Sequence, residues 1–228
     1  MEVVVPPTKL GAPGLWARWL AAALSAIAVW VAIDLTLARP HDLREFDGYR
    51  VGAIETEMWR SYYDHRPVRL FTELTSVLRT QYGFSFWRSC LGGYYAAKAA
   101  VVFQAGHQRT DYLWALPDLE RYYSLIRQGS NIPFDDKKAA ALELEWWIIH
   151  RERAQHPAAD LVDGLAALQA EIYQRPAASF TIHAQARADA MLIRDAKEES
   201  GGVSEADWRR IGELLDRSWV SLEQAVRR

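Results

Sequence analysis

From Trp19 to Ile33 the chain reads WLAAALSAIAVWVAI, uncharged and with Ser25 as its one polar residue. Past residue 40 the pattern changes. Apolar residues recur at three- and four-residue spacing and are interrupted by Pro and Gly, the signature of helices that bury one face. There is no run of alternating β-branched residues bounded by turns. The spacing predicts helices over 47–65, 68–83, 85–105, 110–129, 135–155, 158–173, 177–199 and 204–226. Ser85 is a candidate N-cap, Gly106 a candidate C-cap and Gly129 a stop. Pro117 should kink or reset the fourth helix. Ser204-Glu205-Ala206-Asp207 reads as a cap followed by an acidic first turn. Short connections imply antiparallel neighbours. The expected fold is therefore all-α: an antiparallel helical bundle of seven or eight helices with one N-terminal transmembrane helix. The expected layout is a tail over 1–15, an anchor over 16–38 and a helical domain over 39–228.

The apolar segment sets the expected location. Fifteen helical residues reach roughly 22 Å, and continuing to Ala38 gives about 20 residues, enough for a hydrocarbon core. Asp34 lies near the far end, where it can reach the interface. Arg18 can extend to the near interface, and Trp16 and Trp19 suit an aromatic belt. A cleaved signal sequence, with Thr36-Leu37-Ala38 as the processing site, and an alanine-rich helix packed inside the domain are the competing readings. Lys9 and Arg18 precede the segment, whereas Arg39, Arg44 and Arg50 follow it, which favours a cytoplasmic body. The lone Cys90 suits that reducing side.

Charge and motif content narrow the chemistry. The formal charge of −2, from 27 basic and 29 acidic residues, gives no field for nucleic acid. Of the basic residues 22 are Arg, interleaved with acids as on a solvated face. One cysteine excludes an intrachain disulfide and a cysteine metal cage. Phosphate loops, a nucleophile elbow and His-Glu-x2-His are absent. None of the six histidines has an acid three residues before it, so the inward Glu-x2-His pairs of a dimetal bundle are missing. Glu143 and His150 share a helix face, a weak exception. Trp87, Leu91, Gly92 and Tyr95 are similar to the opening of a tetratricopeptide hairpin. The Trp-to-Leu spacing is one residue too long and no second copy follows, so this is generic helix-pair packing. No catalytic residue, metal or cofactor is expected.

What remains is a set of charges on apolar stripes. Glu55 falls with Ile54, Met58, Trp59 and Tyr62. Lys98 falls with Leu91, Tyr94 and Tyr95, Glu145 with Leu142, Trp146 and Ile149, and Arg187 with Phe180, Ala184 and Met191. If these stripes face one core, Glu55 and Glu145 must pair there with Lys98 and Arg187, because an unpaired buried charge costs several kcal/mol. Such a cluster serves as a structural network, or as a pocket for a polar or anionic small molecule lined by Trp59, Tyr62 and Tyr94. The expectation is a membrane-anchored, non-catalytic module that binds or assembles with a protein partner. The alternative is an enzyme or small-molecule binder that uses the interior charges.

Overall fold

The structure is a computed structural model that describes residues 14–37 and 40–227. The tail residues 1–13, the proposed boundary at 38 and 39, and the flanking charges Lys9 and Arg39 lie outside the described residues. The described chain is helical, with one isolated parallel bridge, His41 to Ser130, and no named strand. It divides into two compact units, Met1–Leu37 and Ala38–Arg228.

The first unit holds α1 (Leu15–Thr36), 22 residues with none buried. By length and composition it could cross a membrane. Between Arg18 and Asp34 it carries no charged side chain and only Ser25 is polar, so that stretch has no polar face to turn to water.

The second unit begins with an extended segment. The His41 N–H donates to the Gly129 carbonyl at 2.8 Å and the Asn131 N–H to the His41 carbonyl at 3.3 Å. Eight helices of more than three turns follow. They are α2 (Gly48–Tyr63), α3 (Pro67–Tyr82), α4 (Phe86–Ala105), α6 (Leu116–Gln128), α7 (Asp136–Arg151), α8 (Ala158–Tyr173), α9 (Thr181–Glu199) and α10 (Glu205–Arg227). A single turn, α5 (Arg109–Tyr112), and a 3-10 turn, Leu113–Ala115, precede α6. Pro117 therefore resets the helix, as its missing N–H and fixed φ favour a first-turn position.

The local chemistry behind these boundaries is visible. Asp47 accepts from the Arg50 N–H, and Asp135 accepts from the N–H groups of Lys137 and Lys138, all at 3.0 Å. Ser204 and Asp207 cap reciprocally: the Ser204 N–H donates to the carboxylate at 3.0 Å and the Asp207 N–H to Ser204 Oγ at 3.2 Å. Gly83 ends α3 in the left-handed region, φ 63°. Gly106 ends α4 with φ −75°, so the reason for glycine there is space. A Cβ would lie 2.8 Å from the Tyr112 ring.

Within the second unit close contacts run from each long helix to the next in sequence, and α10 packs against both α9 and α2. The helices of the second unit thus form a closed circuit. At the last joint the two backbones come together. A Cβ on Gly48 would meet the Trp219 carbonyl oxygen at 2.7 Å, and one on Gly52 would meet Asp216 Cα at 2.9 Å. This four-residue glycine spacing lets the α2 and α10 backbones touch. Glu223 accepts from the Gly48 N–H at 2.9 Å, and Arg227 donates to the Phe46 carbonyl at 3.0 Å. One contiguous hydrophobic core fills the circuit. A second, smaller cluster around Trp208, Ile211 and Leu215 lies between α9 and α10, with Trp59 and Tyr63 of α2 packed against it.

Candidate functional site

Four helices of the circuit meet at Arg187. This α9 side chain forms a double ion pair with Glu55 on α2: Nη1 to Oε2 at 2.7 Å and Nη2 to Oε1 at 2.6 Å. Glu55 is 2% exposed. The Trp219 indole N–H on α10 donates to the same carboxylate. The guanidinium also faces the rings of Trp59, Trp146 and Trp219 at 5.8–6.0 Å. The pairing fits what burial demands. Two planar hydrogen bonds, one indole donor and three aromatic faces take the place of the lost water.

Beside this pair lies a second carboxylate, Glu143 on α7. Its Oε2 accepts from the Tyr123 hydroxyl at 2.9 Å and from Trp146 Nε1 at 3.0 Å, and its Oε1 accepts from Trp147 Nε1 at 2.9 Å. Burial raises its pKa, against the hydrogen bonds and the nearby Arg187 charge. Its direct donors are all neutral. Burial likewise pushes the hydroxyls of Tyr82, Tyr122 and Tyr123 upward, with the Glu143 charge adding to the effect on all three.

His183 completes the interior. The Ser218 hydroxyl donates to the His183 carbonyl at 3.0 Å and therefore accepts from Nδ1–H at 2.8 Å, which fixes the tautomer. Burial, and then the Arg187 charge, lower its pKa to about 3, so the ring is neutral.

The sequence-derived set is only partly brought together. Glu55, Trp59 and Arg187 meet. Lys98 does not join them. Its side chain is 44% exposed and pairs with Asp118 at 3.0 Å. The Glu145 side chain is 42% exposed and pairs with Arg109 at 2.5 Å. Tyr62 and Tyr94 are exposed, each with a ring contact to its chain neighbour, Tyr63 or Tyr95. The expected four-charge convergence is therefore corrected to one pair, Glu55 with Arg187, plus Glu143. The reason is phase. On α4 the inward residues include Arg88, Gly92 and Ala99, which leaves Lys98 on the shoulder toward α6. On α7 both flanks are covered, one by α6 and one by α8, so apolar spacing does not single out an inward face. The missed signal is Glu143-x2-Trp146-Trp147. That spacing stacks both indoles over the carboxylate one turn on. The shared Glu143–His150 face leads nowhere chemically, because His150 bonds Asp195 at 3.0 Å. Among the described residues no group of three or more His, Cys, Asp or Glu side chains is placed to hold a metal.

Comparison with known proteins adds no family. No family model, curated protein or solved structure matches the chain.

Proposed function

We propose that this chain is a single-pass, membrane-anchored helical module without catalysis of its own, which assembles with a protein partner at the membrane face. The observation that carries this reading is α1, an apolar helix of 22 residues with no buried position. Such a helix needs a lipid environment or a protein cover. The interior supports the non-catalytic part, because the Glu55 and Arg187 charges are committed to each other. The basic residues that follow α1 support a cytoplasmic body. Connections of three to seven residues between most successive helices support antiparallel neighbours in a bundle.

The test is extraction. Full-length protein should stay with membranes in alkaline carbonate. Protein lacking residues 1–38 should be soluble, with a helical circular dichroism spectrum. Release of the full chain, or loss of helicity on deletion, would overturn the anchor. Crosslinking in the native membrane should give discrete adducts with a second protein.

One observation favours a second reading, a small-molecule binder or enzyme. Glu143 is a carboxylate of raised pKa held only by neutral donors, a poised state for a general base or for polar recognition. A compound that raises the melting temperature of the wild type but not of Glu143→Gln would support it.

A further inference from the structure

The inward face of α7 keeps more contact with solvent than its flanks do. Ala139, Ala140, Leu144 and Ile148 are buried, and α6 and α8 cover the helix on either side. Glu143 is only half-buried. Yet it lies about 160° round the helix from Ala141 and Glu145, which mark the outer side. Tyr122 on α6 and Arg187 on α9 repeat the pattern. Each is half-buried, and each lies about 140° from an exposed residue of its own helix, Pro117 or Ile182. These side chains share one neighbourhood: the Glu143 charge acts on Tyr122, and the Arg187 charge acts on Glu143. Solvent therefore reaches them through a gap inside the circuit.

We propose that this gap binds a small organic ammonium ion, with its cationic head on Glu143 and its apolar part among the surrounding rings. The proposal rests on the second reading above, a small-molecule site at Glu143, and names the class of its ligand. The Glu143 carboxylate is held by a hydroxyl and two indoles, all neutral. Oε1 has one of these donors, the Trp147 indole, and can accept a second. Arg187 is committed elsewhere, because both of its Nη atoms hold Glu55. An ammonium ion brings a donor and the opposite charge together. The lining also suits a cation. The Arg187 guanidinium already sits over the rings of Trp59, Trp146 and Trp219, and an indole attracts a cation more than a neutral guest. An anion would meet the Glu143 carboxylate and find the guanidinium taken. A hard metal ion needs several oxygen ligands, and among the described residues no three His, Cys, Asp or Glu side chains converge to supply them.

The experiment uses the full chain in a nonionic detergent. The probes are n-butylammonium, 1-butanol and butyrate, which are similar in length and differ in charge. Binding is read by titration calorimetry and by the rise in melting temperature. The proposal expects saturable binding of butylammonium, about tenfold tighter than 1-butanol, and no binding of butyrate. Glu143→Gln should remove the preference for the charged probe and Glu143→Asp should keep it. Glu145→Gln, on the outer side of the same helix, should leave it unchanged. Circular dichroism checks that each variant is folded. If Glu143→Gln is not, the selectivity of the wild type and the behaviour of the other two variants decide. 1-Butanol bound as tightly as butylammonium, or butyrate bound in preference to it, overturns the ammonium ligand and leaves a small-molecule site standing. No saturable binding of any probe to the wild type overturns both. Butylammonium binding that survives in folded Glu143→Gln, or is lost in Glu145→Gln, puts the ion elsewhere and overturns the proposal.

Discussion

At the residue scale, Arg187 decides how much the interior costs and what it specifies. Replacing Glu55 with Gln leaves a buried guanidinium beside a neutral amide, and the expected loss is about 3 kcal/mol in urea unfolding. The double change Glu55→Leu with Arg187→Met should lose less than the sum of the two single changes, because neither charge is then stranded. Additivity would mean that the pair is not coupled. His183 makes the stability depend on pH. Its native pKa of about 3 lies below the ordinary 6.5, so the unfolded chain binds the proton more tightly. The associated stability is complete above the ordinary value and is lost as pH falls toward the native one, at about 1.4 kcal/mol per pH unit in that window. His183→Asn, which keeps a donor for Ser218, should flatten this slope in melts between pH 6.5 and 4. An unchanged slope would mean that the ring is not buried neutral. Glu143 works in the opposite sense. Its raised pKa contributes stability while the carboxyl is protonated, and that contribution fades as pH rises through the native value.

These residues also show what a sequence can reveal about an interior. Glu55 and Arg187 were legible because each sits in an otherwise apolar stripe on a helix with one polar side. Lys98 and Glu145 satisfied the same rule and still face solvent, because α4 and α7 are apolar on more than one side and periodicity loses its phase there. That two acids and a base share the interior follows from which helices touch, and contact between helices far apart in sequence leaves no trace in spacing.

At the element scale the boundaries were largely written locally. Pro117 reset a helix, and Ser204 with Asp207 opened one. What could not be read was the joint between α2 and α10. Its Gly48-x3-Gly52 spacing looks like a penalty for helix formation until the partner backbone is present. Gly48→Ala should cost more than 1 kcal/mol, as the new methyl meets the Trp219 carbonyl. Gly201→Ala, in a turn with open space around it but φ 117°, should cost about 1 kcal/mol through backbone strain alone. Thermal melts of the two variants separate a packing cost from a conformational one. Equal losses would argue against a close α2–α10 approach.

At the scale of the whole molecule, the circuit makes α10 a closing piece. It covers α2 and α9 at once and supplies Trp219 to the interior. Truncation after Ser204 should therefore abolish the cooperative melt of the second unit and not merely shorten it, as judged by circular dichroism. A residual sharp transition would show that the remaining helices fold without it. All-α composition was available from sequence, as were the eight long helices of the second unit, whereas the single turn α5 was not. The closure was not, since it depends on the first and last helices of the unit finding each other.

That closure makes the order of the helices a matter of convenience. With Arg227 reaching the Phe46 carbonyl, a brief linker could join the two ends of the circuit. A break could then be opened at Gly201-Gly202, where no side chain or backbone crowds the turn. The permuted protein would begin with α10 and finish with α9, and every neighbour would stay in place.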